Sequence, residues 1–148
     1  GFKLALWDVT WEAGVPVAMA DLAAPDLPHL WRGSGCHPAP EVALSRALTE
    51  AAQARLTYVS GARDDLHELP FGVPPGRLHE RFEEPEPAAR LAEVPGLAGE
   101  TVGEDLARVT AALCARGYEP FAVDLTHPEL GVPVVRVVVP GLREAPYG

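Results

Sequence analysis

The chain has 148 residues, 47% of them hydrophobic and 22% charged, with a formal net charge of -9. That balance describes one globular domain, neither disordered nor fibrous, and the acidity argues against nucleic acid as a partner, because neutralising phosphates takes a basic stripe. Two cysteines, Cys36 and Cys114, make neither a disulfide framework nor a paired metal-ligand spacing, and no apolar run approaches the roughly 18 residues of a membrane span, so the expectation is a cytoplasmic protein with no transmembrane segment.

The first element in chain order is half of a repeat. Gly1 to Thr10 (GFKLALWDVT) lines up with Gly117 to Thr126 (GYEPFAVDLT). After one inserted residue, Gly14-Val15-Pro16-Val17-Ala18 matches Gly131-Val132-Pro133-Val134-Val135. Both copies predict strand, turn, strand. Asp8 and Asp124 occupy equivalent positions, where a short polar side chain bonds to nearby backbone amides and closes a turn. Trp31 to Pro38 (WRGSGCHP) then reads as a glycine-rich turn.

Pro40 suits the first position of a helix, where its missing N–H costs nothing, and Glu41 complements the helix dipole. No glycine or proline interrupts the chain from there to Val59, which predicts a long central helix over about 40–60, closed by Ser60-Gly61. One face is apolar. The other carries Arg46, Glu50 and Gln53 at spacings of four and three, which sets them in one row. Taken alone, that row is a solvated face holding an intrahelical ion pair, and Arg63-Asp64-Asp65 is an exposed charge cluster.

Residues 66–100 carry prolines at 70, 74, 75, 85, 87 and 95 and an acidic patch at Glu80, Glu83, Glu84 and Glu86. This composition predicts an irregular connection serving as a lid, binding loop or mobile segment, with a short helix near Pro87 to Leu91. Thr101-Val102-Gly103-Glu104 fits a capping box opening a second helix over about 102–116, and Gly117 is placed to end it in the left-handed conformation. Val132 to Val139 predicts a strand suited to a buried sheet. By the repeat, Gly1 stands where Gly117 stands, just after a helix. The expectation is therefore a C-terminal portion of a longer protein, 1–148 forming the second half of its domain.

The chain contains no Walker-type phosphate loop, zinc-binding helix motif or nucleophile elbow. Cys36 and His37 are adjacent, which points their side chains apart rather than into a nucleophilic pair. A different pattern stands out: GSGCHP at 33–38, then E-x-A-L-x-R-A-L-T-E-A-A-Q-x-R-L from Glu41, then S-G-x-R-D-D from Ser60. With DLT(x)4GVPVVRVVVPGL from Asp124, it resembles the YcaO family, in the branch that occurs beside a TfuA partner.

The resemblance implies an α+β fold, with the repeated units and the two helices packed on a mixed sheet. It also implies an enzyme that uses ATP and Mg2+ to phosphorylate a peptide backbone amide oxygen, opening the way to a thioamide or an azoline. The family's Glu-x-x-Glu-Arg pattern falls on Glu50 and Gln53, so Glu50 is the expected metal ligand and Gln53, lacking charge, a nucleotide contact. Gly35 and His37 are expected to contact nucleotide from the preceding turn, and Arg46, Arg55, Arg63 and Arg136 to reach phosphate. The partners implied are a peptide or protein substrate, a TfuA-like protein, and either the missing N-terminal half or further copies of the chain. The competing expectation is a non-catalytic scaffold that keeps the fold and binds a peptide or partner.

Overall fold

A computed structural model describes residues 1–27, 29–61, 82 and 86–142. It divides the chain into two compact units, Gly1–Ala98 and Gly99–Gly148. In the first unit, β1 (Lys3–Asp8), β2 (Val17–Ala23) and β3 (Leu30–Cys36) form an antiparallel sheet in the order β1-β2-β3. The helix α1 (Pro40–Val59) packs on one face of it.

The register shows why this sequence takes that arrangement. Leu4, Leu22 and Trp31 stand opposite one another, as do Leu6, Ala20 and Gly33, and Asp8, Ala18 and Gly35. Side chains alternate across a strand, so these rows share one face. Ala18 and Ala20 join Ala43, Ala47 and Ala51 of α1 in the buried core, with Leu22, Leu44 and Leu48 packed around it. Every fully buried position at the contact is small, which lets the helix backbone lie directly on the sheet.

Gly33 and Gly35 mark the closest approach. A Cβ on Gly33 would lie 2.2 Å from the Ala47 carbonyl oxygen and 2.3 Å from the Ala51 nitrogen, and one on Gly35 would lie 2.0 Å from the Ala43 carbonyl oxygen. The segment expected to be a glycine-rich turn is therefore strand β3, and its glycines clear room for α1 rather than supplying left-handed backbone. The turn begins only at His37, whose Nδ1 accepts the Ala39 N–H at 3.0 Å.

The boundaries of α1 follow its sequence signals. Pro40 opens the helix, and it closes where Ser60 N–H bonds Leu56 and Gly61 N–H bonds Tyr58, Gly61 having φ of +61°. On the sheet face away from α1, the buried Asp21 carboxylate accepts Arg32 Nε at 2.7 Å, Arg32 Nη2 at 3.0 Å and Trp7 Nε1 at 3.2 Å. The hydrogen bond and then the charge of Asp21 raise the Arg32 pKa. Three donors on one carboxylate meet the requirement for burying its charge.

In the second unit, α2 spans Val102–Cys114 and β4 (Phe121–Asp124) pairs antiparallel with β5 (Val135–Val138). Thr101 Oγ1 accepts the Glu104 N–H as the capping box predicts, but Glu104 Oε2 reaches the N–H of Glu100, one residue earlier than the motif requires. Gly117, at φ +82°, donates to Cys114 while Tyr118 donates to Leu113, the pair of bonds that defines a Schellman ending.

The two halves of the repeat share the same Asp-Thr clasp. Asp8 Oδ1 accepts Thr10 N–H at 3.0 Å, and Asp124 Oδ1 accepts Thr126 N–H at 2.8 Å. Thr10 Oγ1 then takes Val17 N–H at 3.0 Å, and Thr126 Oγ1 takes Val134 N–H at 3.1 Å. Gly14 and Gly131 both adopt positive φ, at 72° and 62°. The offset grows from 116 residues at the aspartates to 117 at the returning strand, where the inserted residue was expected.

Three expectations change. Pairing among the described residues is antiparallel throughout, in two sheets rather than one mixed sheet, because each connection within a sheet is a short return loop and not a crossover. The strand expected over Val132 to Val139 is confined to Val135–Val138, and Val135 and Val137 are exposed rather than buried. The Thr126 clasp takes Val134 N–H into the turn before the ladder begins, and a two-stranded ribbon offers no second layer to cover its faces. Of residues 66–100, only Phe82 and residues 86–100 are described, and they contain a 3-10 turn at Leu91–Glu93 just beyond the short helix expected near Pro87 to Leu91.

Candidate functional site

β3 is an edge strand, so alternate residues turn their backbone N–H and C=O away from β2 with nothing in the sheet to meet them. The polar row of α1 runs along that edge. Glu50 Oε2 accepts the Ser34 N–H at 2.6 Å and the Ser34 hydroxyl at 3.1 Å, and Arg46 Nη1 donates to the Cys36 carbonyl at 3.0 Å. Two of the three residues picked out by their spacing thus clip the helix to the strand, and the ion pair expected between them is not what engages either.

Gln53 continues the row beyond Glu50. The two line a cavity of about 370 Å3 with His29, Trp31, Ala54, Thr57 and Tyr58. Its wall is aromatic: the His29 ring meets Trp31 edge-on at 5.2 Å and lies nearly parallel to Tyr58 at 6.0 Å. Burial pushes the His29 imidazole below its ordinary pKa, which favours the neutral ring. Trp31 Nε1 is buried without a hydrogen-bond partner among the described residues.

The donors suit a hard cation in part. Glu50 Oε1 accepts no hydrogen bond among the described residues, and the Gln53 amide offers a neutral oxygen beside it, the ligand chemistry of Mg2+. No group of three His, Cys, Asp or Glu side chains converges among the described residues. One carboxylate and one amide leave most of the coordination sphere to phosphate oxygens and water, as is usual for Mg2+ held with a nucleotide.

The other expected contacts are scattered. Gly35 lies buried at the end of β3 beneath α1, and His37 spends its Nδ1 on the turn that follows. Arg55 pairs with Asp26, and its guanidinium sits 5.2 Å from the Phe2 ring and 5.6 Å from the ring of Trp31, a residue that also lines the cavity, with Nε buried and without a hydrogen-bond partner among the described residues. It faces this clamp because it lies two residues past Gln53, about 200° around the helix. Arg136 belongs to β5 in the second unit, and Arg63 lies outside the described residues. The Cys36 thiol has its pKa raised by burial, partly opposed by the charge of Arg46.

The sequence reading missed Ser34, His29, Trp31 and Tyr58. The alternation Trp31-Arg32-Gly33-Ser34-Gly35 carried the period of a strand and would have placed Ser34 on the face opposite Gly33 and Gly35, but nothing in it named Glu50 as the partner.

Comparison with known proteins bears on the same residues. A family model described as a YcaO cyclodehydratase that binds ATP and Mg2+ matches residues 1–143. An uncharacterized protein in the tfuA 3′ region of Rhizobium leguminosarum bv. trifolii is 34% identical across 97% of this chain and 37% of its own length. An uncharacterized protein of Methanothermobacter thermautotrophicus is 40% identical across 97% of this chain and 40% of its own. The chain thus spans about two-fifths of the length of these relatives.

Among solved structures, the heterocyclase TruD superposes with a TM-score of 0.71 at 26% identity, covering 96% of this chain and 20% of that one. YcaO from Methanopyrus kandleri, bound with AMPPCP and Mg2+, gives 0.67 at 29% identity, covering 93% and 38%. With the sequence match running almost end to end and the fold agreeing over nearly the whole chain, this protein belongs to the YcaO cyclodehydratase family.

Proposed function

We propose that the chain forms part of an ATP- and Mg2+-dependent enzyme that activates a peptide backbone amide. The observation that carries this is the row along the β3 edge, where Glu50 and Gln53 line one cavity and Glu50 has one carboxylate oxygen without a hydrogen bond among the described residues. A YcaO relative bound with AMPPCP and Mg2+ supports ATP and Mg2+ as the ligands, and the family's Glu-x-x-Glu-Arg pattern assigns Glu50 to the metal and Gln53 to the nucleotide. Mg2+ would offset the charge of the phosphates when bound. Arg46, held by the Cys36 carbonyl at the same edge, adds a fixed positive charge.

In this reaction the amide oxygen attacks the γ-phosphorus, ADP departs, and the amide is left as an O-phosphorylated imidate. A nucleophile then adds to the amide carbon and phosphate leaves with the former amide oxygen. A neighbouring Cys, Ser or Thr side chain gives an azoline, and external sulfide gives a thioamide. The relative in a tfuA region favours a TfuA-like partner, and the resemblance to the TfuA-associated branch favours the thioamide outcome. We place the protein in the cytoplasm, where its two free thiols suit a reducing compartment.

The complete site draws on more than this chain, which offers one carboxylate where the family pattern uses several. Isothermal titration with Mg-ATP should therefore show saturable binding weaker than micromolar. Glu50→Ala should reduce it by more than the roughly 10–100-fold that an outer-sphere partner costs. Equal affinity for the two proteins would overturn the role of Glu50, and no saturable binding at all would favour a scaffold that binds a peptide or partner.

A further inference from the structure

The strand β3 presents one functional side chain between two glycines. Gly33 and Gly35 are dictated by the backbone of α1, which leaves no room for a Cβ at either position. Ser34 is under no such constraint: it faces the other side of the sheet, in register with Met19, and is exposed. Its hydroxyl nevertheless turns around the strand edge to the same Glu50 oxygen that its own N–H holds.

Two donors converging on Oε2 do more than one. The N–H bond by itself tethers the carboxylate but leaves it free to rotate about that contact. The second bond, from a different direction, fixes the carboxylate plane and polarises the group, so that Oε1 is presented to a cation in one orientation. A glutamate on an exposed helix face otherwise samples several rotamers, and ordering it would weigh against metal binding.

We propose that Ser34 is a positioning residue for the metal site, holding Glu50 with Oε1 directed to a divalent cation. This rests on Glu50 being a ligand, and the two ideas separate experimentally. The probe is Mn2+ with AMPPCP, whose phosphate oxygens complete the coordination sphere, titrated into the chain and followed by enhancement of water-proton relaxation. Ser34→Ala should weaken Mn2+ by about tenfold, the lower end of what outer-sphere partners contribute, and Ser34→Thr, which keeps the hydroxyl, should restore most of it. The thermal midpoint of Ser34→Ala should stay close to that of the unaltered chain, because the backbone N–H still clips α1 to β3.

Unaltered affinity in Ser34→Ala, alongside a loss in Glu50→Ala, would overturn the positioning role and leave Glu50 as a ligand. Failure of Ser34→Thr to restore affinity would overturn the role of the hydroxyl. Equal affinity in Glu50→Ala, or no Mn2+ binding by the unaltered chain, would overturn the Glu50 assignment and the Ser34 inference with it.

Discussion

Replacing Gly33 by alanine tests the contact on which the site depends. The added Cβ would meet the Ala47 carbonyl oxygen at 2.2 Å, whereas ordinary contact begins at 3.4 Å, so α1 must withdraw by at least 1.2 Å. The obstacle is helix backbone, which has no rotamer to change. Overpacking of this kind costs about 1–3 kcal/mol. The same withdrawal stretches the 2.6 Å bond between Ser34 N–H and Glu50 beyond hydrogen-bonding range. That bond has a charged acceptor but is exposed, and its loss adds about 1 kcal/mol.

A loss near 3 kcal/mol is large against the roughly 5–15 kcal/mol of a typical domain. It should lower the urea midpoint by about 1–3 M at unchanged slope. Tryptophan fluorescence reports on the first unit alone, since Trp7, Trp11 and Trp31 all lie there. Gly14→Ala is the control: it also disturbs a glycine, at φ +72°, but the space around it is open, so only backbone strain of about 1–2 kcal/mol applies. A loss below about 1 kcal/mol in Gly33→Ala would refute the claim that α1 lies on β3 at backbone contact.

Arg55→Ala should lower stability by about 1–2 kcal/mol, through loss of the contacts to Phe2 and Trp31 and the ion pair with Asp26. It should leave Mg-ATP affinity unchanged in the titration that Glu50→Ala alters; a fall in affinity as large as that of Glu50→Ala would return Arg55 to the site. Asp124 titrates below the ordinary aspartate range because Thr126 donates to its carboxylate from side chain and backbone. Its contribution is therefore present above the ordinary aspartate pKa and is lost as pH falls through the lower folded value. Carbon-13 titration of the Asp124 carboxyl should show a depressed midpoint that rises part of the way to the ordinary value in Thr126→Val, which loses the hydroxyl but keeps the backbone N–H, and a midpoint at or above the ordinary value in the unaltered chain would contradict the clasp.

Sequence alone determined the features whose causes lie within a few residues of one another. The Asp-Thr clasps, the left-handed Gly117, the proline that opens α1 and the Thr101 cap each depend on the chemistry of residues close together in the chain. The repeat was legible for the same reason, since the same local chemistry recurs with one inserted residue. Family membership also lay in the linear pattern, and with it the choice of Glu50 and Gln53.

Tertiary structure decided what required distant partners. Glycine at 33 and 35 reads identically for a turn and for a strand beneath a helix, and only the arrival of α1 distinguishes them. Glu50 finds Ser34 across 16 residues, while Arg55 is drawn away from the row by Phe2, Asp26 and Trp31, none of them predictable as its neighbours. A helix face shows which residues stand together, but the strand edge beside it determines which are held and which are diverted.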